Sequence, residues 1–160
     1  MEKSEQKSPK GIGGWLLLPL LGLILSPVIM VFSIYEDLWP VFSSDYWEDL
    51  TSPTSGMYHP LWTRVLIFEV AGHVTIFLLG LAALFSFLRK SRKAPRLFIM
   101  WLLLTLVFVA ADSYFRGYIP GAVEEYDSMF LPGIWRAGIP AAIWIPYFLV
   151  SKRVKATFVN

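Results

Sequence analysis

Glu69 and His73 stand four residues apart in the stretch FEVAGHV, inside an otherwise apolar run. On a helix that spacing puts a carboxylate and an imidazole on one face, one turn from each other. Asp112 and Arg116 repeat the spacing in a second apolar run, and Arg136 lies in a third. Ionisable groups at membrane depth are costly, and they point either to function or to structural pairing. If they pair, Arg116 bridges to Asp112 along its own helix, and Arg136 forks between Glu69 and Asp112 through two charge-assisted hydrogen bonds. Such a network fixes helix register without needing to add net stability, because desolvation can offset the Coulomb gain. If they do not pair, Glu69, His73, Asp112 and Arg136 line an outward-opening cavity able to bind an anion, relay protons or hold a headgroup. A metal site built from Glu69, His73 and Asp112 is the weakest reading, since one histidine and two carboxylates without a clustered motif make a poor ligand signature.

Other chemistry finds little support. The 160 residues include no cysteine, which excludes disulfides and thiolate sites, and His59 and His73 are the two histidines. No serine lies in a nucleophile-elbow context. GIGGW at 11–15 follows no strand, so it reads as a hinge at the membrane surface and not as a phosphate loop. No cofactor is implied, and the basic stretches carry no nucleic-acid-binding pattern.

The elements that must position these groups are plain from hydropathy. Hydrophobic residues make up 56% of the chain and charged residues 16%, where a soluble domain carries roughly 25% charge. Four apolar stretches, at about 14–35, 62–88, 97–119 and 132–150, match the ~20 residues that cross a ~30 Å hydrocarbon core. They lack the polar outer faces of a soluble bundle. The expectation is an all-α polytopic membrane protein, one four-transmembrane-helix bundle over 1–160. The basic N-terminal tail resembles a signal peptide's start, but the first run is too long for one and no cleavage pattern follows, so it reads as an uncleaved span. At ~1.5 Å per residue, Glu69 and Asp112 fall ~10 Å from the outer edge and Arg136 ~6 Å from it, with His73 one turn deeper. Small and polar stripes mark the expected packing faces. These are Pro19, Gly22, Ser26 and Ser33; then Glu69, Gly72, His73, Ile76, Gly80 and Ala83; then Thr105, Asp112 and Arg116; and last Arg136, Pro140, Ile143 and Tyr147. Pro19, Pro27, Pro140 and Pro146 are expected to bend spans one and four.

Charge sets the expected topology. Eleven of the fourteen Lys and Arg residues lie in the N-terminal tail, in RKSRKAPR at 89–96, or just after the fourth span. The loops at about 36–61 and 120–131 are acidic, so the positive-inside rule puts both termini in the cytoplasm. RKSRKAPR reads as a topology determinant that also attracts anionic lipid. In the outer loop 36–61, DYWEDL after Ser43 and Ser44 suggests a short helix with Asp45 and Glu48 spaced as a capping box, ended by TSPTSG. Trp39, Trp47 and Trp62 form either an interfacial belt or, with Tyr46 beside Trp39 and Trp47, a partner-binding surface. Val154, Thr157 and Phe158 suggest a short interfacial segment, an anchor or a docking tail.

Two stretches, GIGGWLLLPLLGLILSP at 11–27 and RAGIPAAIWIPYFLVSKRVKATFV at 136–159, resemble the family known as domain of unknown function 2569. The likeness extends to Phe68–Glu69, the basic loop ending at Pro95, and Asp112. It implies a four-span bacterial inner-membrane protein and no particular biochemical activity. Small size, the absence of a catalytic motif and the aromatic acidic loop favour a non-enzymatic protein that binds or regulates a membrane-protein partner or a second copy. The alternatives are a small oligomeric transporter or proton-coupled carrier using the polar layer, and an enzyme acting on a lipid headgroup.

Overall fold

Every long apolar stretch is helical, as a bilayer requires when backbone groups have no water to bond. The computed structural model describes residues 11–119 and 123–160, with the side chains at 37 and 123–131 outside that description. A 3-10 turn at Gly14–Leu16 leads into α1 (Leu17–Ser33), a π turn (Ile34–Leu38) and α2 (Trp39–Ser43). There follow α3 (Tyr46–Thr51), α4 (Trp62–Leu88), α5 (Ala94–Arg116), α6 (Val123–Val150) and α7 (Lys152–Thr157). Four helical segments among the described residues are long and apolar enough to cross a membrane: Gly14–Ser43, Trp62–Leu88, Ala94–Arg116 and Pro132–Val150. The protein is an all-α, four-helix membrane bundle.

Helix ends depart from the sequence expectation at two places. The first span does not stop at 35 but continues as helix to Ser43, 30 residues in all. At ~1.5 Å per residue that is ~45 Å, so its last turns stand beyond a ~30 Å core. Pro40 permits this because it occupies the first turn of α2, where its missing N–H is not needed. The fourth helix begins at Val123, well before Pro132, and Pro132 lies inside it. The side chains of Glu124, Glu125 and Asp127, like the N-terminal lysines, lie outside the described residues.

Segment 36–61 is an ordered cap. Leu38, Val41 and Leu50 are buried against Leu66 of α4, with Trp47 and Trp62 packed beside them. The short helix α3 is present where DYWEDL suggested it, but no capping box forms, because Asp45 makes no side-chain cap bond. Ser44 takes over locally: its Oγ donates to the Pro40 carbonyl at 2.7 Å and accepts from Tyr46 N–H at 3.2 Å.

Packing runs α1 on α4, α4 on α5 and α5 on α6. The small-residue face of α4 does pack inward, with Ile76, Gly80 and Ala83 buried. Gly72 is needed there, since a Cβ would collide with the Phe108 ring of α5. The expected face of α6 is offset. Arg136 and Ile143 are exposed, and it is Ala137, Ala141 and Phe148 that turn inward, because small side chains let the backbones approach. On α1, Pro19 is buried but Gly22 is open, with nothing within 4 Å of the place a Cβ would take.

The end carrying both termini is closed by the C-terminal segment. Val154, Thr157 and Phe158 are buried in the bundle instead of lying along a lipid surface. Phe158 meets Phe87 of α4 at 4.8 Å between ring centres, and Phe98 meets Phe148 at 4.6 Å. Hydrogen bonds tie this tail to the turn between α4 and α5. Arg92 N–H donates to the Asn160 carbonyl at 2.7 Å, Asn160 N–H to the Lys90 carbonyl at 3.2 Å, and Arg92 Nε to the Val159 carbonyl at 2.9 Å. Ser151 caps α7 by accepting from Val154 N–H. The Arg153 guanidinium lies over Gly13 and Gly14, where a side chain would meet it.

Candidate functional site

The polar layer is built by α4 and α5. Glu69 sits two turns into α4 and is buried, and Asp112 and Arg116 occupy one face of the last turns of α5. Arg116 uses two nitrogens for two acids. One terminal nitrogen lies 2.5 Å from Glu69 Oε2, and Nε lies 3.0 Å from Asp112 Oδ2. One guanidinium thus joins two helices through charge-assisted hydrogen bonds. Asp112 Oδ1 is buried with no hydrogen-bond partner among the described residues.

The bridging arginine is Arg116, not Arg136. Contacts between α5 and α6 explain why. A Cβ on Gly133 would lie 3.3 Å from Val109, and one on Gly138 would lie 4.0 Å from Leu106. Arg136 is therefore level with the residues near 107, about 7 Å from Asp112 toward the basic end at 1.5 Å per residue. Counting its depth from Pro132 put it too near the acidic end, because α6 starts at Val123. Arg136 is exposed, and no hydrogen bond or ion pair to it occurs among the described residues.

His73 is not joined to the carboxylates. Its Nδ1 lies 2.8 Å from the backbone carbonyl of Glu69, one turn back. A carbonyl only accepts, so Nδ1 carries the proton in that contact. The ring stands edge-on to Phe108 at 5.2 Å. Glu69 and His73 share a helix face, yet the link between them runs through main chain and offers no side-chain proton path.

Among the described residues, two apolar grooves have linings that include none of Glu69, His73, Asp112 and Arg116. One, of about 320 Å³, lies along α4 and α5 around Phe68 and Phe108. The other, of about 210 Å³, lies between α1 and α6 over α5 and has Arg136 at its rim. Among the described residues, no three His, Cys, Asp or Glu side chains come close enough to hold a metal ion.

The candidates in segment 36–61 separate into two kinds. Trp39 is 60% exposed and Tyr46 45%. Trp47 is half-buried and stacks on Phe42 at 5.2 Å, so it holds the cap together. Sequence reasoning missed the tail clamp, whose signal, Val154 and Phe158 four apart, fits a protein-facing stripe as well as a lipid-facing one.

A family described as "Protein of unknown function (DUF2569)" matches residues 9–159. The chain is also similar to the inner membrane protein YdgK of Escherichia coli (strain K12), at 26% identity over 160 residues, covering 96% of this chain and 97% of that protein. No solved structure matches.

Proposed function

The chain belongs to the DUF2569 family, and from that premise we propose that it is a non-enzymatic protein of the bacterial inner membrane that binds or regulates a membrane-protein partner through its outer cap. The observation that carries this reading is the cap itself: an ordered, acidic element that leaves Trp39 and Tyr46 exposed, with Phe42, Met57 and Tyr58 also open, while Leu38, Val41 and Leu50 pack on Leu66 of α4. Exposed aromatic residues on a rigid support are the usual anchors of a protein interface. Asp45, Glu48 and Asp49 surround them with negative charge, which suits a partner with a basic rim. The polar layer then serves architecture, since Arg116 already answers both Glu69 and Asp112.

A photo-crosslinking residue placed at Trp39 or Tyr46 in living cells tests this. The expected result is a discrete adduct, with none from the same residue at the exposed Val107 of α5. A lone adduct of doubled mass would identify the partner as a second copy. Identical labelling from the cap and from Val107 would count decisively against a partner.

A further inference from the structure

We propose that the groove between α1 and α6 seats a membrane-spanning helix of another protein, one that carries an aspartate or glutamate at mid-depth for Arg136. Arg136 is level with the residues near 107, and α5 runs over Ala94–Arg116, so its charge stands close to the middle of the bundle's height. It is permanently charged and exposed, and no hydrogen bond or ion pair to it occurs among the described residues. A cation at that level is costly unless an oxygen answers it. The headgroups of either leaflet lie about 15 Å away, half the thickness of the hydrocarbon core. A carboxylate reaches mid-depth on a membrane-spanning helix, where it meets the same penalty. Each group then relieves the other through charge-assisted hydrogen bonds, two-pronged on the arginine side.

The bundle leaves a place for such a helix. α1 packs on α4 and α6 on α5, but α1 and α6 hardly approach each other. In the apolar stretches of these two spans 11% of residues are buried, against 28% in α4 and 22% in α5, so both keep most of their surface for something else. Trp101 and Leu102 of α5 floor the gap, Leu18 and Gly22 of α1 form one wall, and Pro140 and Trp144 of α6 form the other. From Arg136 to Trp144 is about 12 Å at 1.5 Å per residue, or two turns of a guest helix. Nothing lies within 4 Å of where a Cβ on Gly22 would stand, so a guest backbone can come close there. Thr105 makes no polar claim on it, because its hydroxyl donates to the Trp101 carbonyl at 2.8 Å. The guest is therefore apolar along those two turns, with its acid where they meet Arg136. A second copy of this chain does not supply that acid. Its carboxylates at membrane depth among the described residues are Glu69 and Asp112, and both are bound to Arg116. This surface lies inside the bilayer, apart from the cap, and the two readings stand or fall separately.

The test uses the full chain in phosphatidylcholine vesicles and a synthetic Leu-Ala helix of membrane-spanning length with one Glu at its centre. The chain has no cysteine, so Ser55→Cys takes a single dye, and a second dye on the peptide reports binding by energy transfer. The Glu helix should bind about tenfold tighter than the same helix with Gln, the factor that a charged hydrogen bond adds over a neutral one. Arg136→Gln should erase that preference, and so should moving the Glu two turns toward either end of the peptide. Lys152→Gln with Lys155→Gln, at the basic end, should leave it unchanged. Gly22→Leu should weaken binding of both helices with Arg136 intact, which keeps the test decisive even if Arg136→Gln misfolds. Equal binding of the Glu and Gln helices by the otherwise unaltered chain would overturn the proposal. A preference that survives Arg136→Gln, or the displaced Glu, would do the same. Energy transfer between two differently labelled copies of the chain, lost in Arg136→Gln, would also overturn it, because the occupant would then be a second copy.

Discussion

Arg116 on α5 meets Glu69 on α4 at 2.5 Å, and the same guanidinium holds Asp112 one turn back on its own helix. The contact couples the rotation of α5 to the position of α4, because both acids must lie on the face that Arg116 presents. It also neutralises charge near the lipid boundary.

Loss of the arginine should hurt more than loss of one acid. Arg116→Gln takes the shared cation away from two carboxylates, and breaking a buried pair costs about 3–5 kcal/mol. Arg116 is partly exposed, so the lower end of that range is expected. Glu69→Gln keeps a hydrogen-bonding partner for Arg116 and should cost about 1–2 kcal/mol. Unfolding in mixed detergent micelles measures both, and the double variant should cost less than the sum. A Glu69→Gln variant that is fully stable yet loses pH-dependent uptake of a solute would instead restore the carrier reading.

Gly72→Leu should drive α4 and α5 apart at Phe108. Overpacking of this kind costs about 1–3 kcal/mol. Adding Phe108→Ala should recover part of the loss, because the clash is with that ring. No recovery in the same unfolding assay would mean that the two helices do not meet at this level.

Phe158→Ala should loosen the end of the bundle that carries the termini. Its ring fills space beside Phe87 and Phe148, and emptying such a site costs about 3–5 kcal/mol. Protease cleavage between α4 and α5 should speed up in step, since hydrogen bonds from the tail hold that turn in place. Cleavage at the unaltered rate would show that the clamp is open in the bilayer.

The basic end should face the cytoplasm. Arg89, Lys90, Arg92, Lys93 and Arg96 join Lys152, Arg153 and Lys155 there, and short loops with such an excess stay inside. A phosphatase that works only outside the cytoplasm should be silent when fused after Asn160 and active when inserted at Ser55 of the outer segment. The reverse pattern would invert the topology.

How much of this was legible depends on how local the physics is. The four crossings follow from apolar length alone. The Asp112–Arg116 bridge follows from i,i+4 spacing, and the shared level of Glu69 and Asp112 from counting residues. Which arginine joins Glu69 was not legible, because depth along α6 depends on where that helix begins. Nothing in 123–131 announces a start nine residues before Pro132. The inward face of α6 was misassigned because a polar stripe was given more weight than Ala137 and Ala141, and packing favours the smaller side chains. Glu69 and His73 share a helix face as their spacing implies, but His73 bonds the carbonyl one turn back, an option that spacing does not reveal.

The clamp between the tail and the turn at 89–92 sets an order of events for the nascent chain. The groups that cover Phe87 and bind the amide of Arg92 belong to residues 158–160, which follow α6. Helices can enter the bilayer one after another, but the seal closes only when α6 is already across. A chain stalled or mis-threaded at α6 leaves Phe87 without the Phe158 ring and the Arg92 amide without its acceptor.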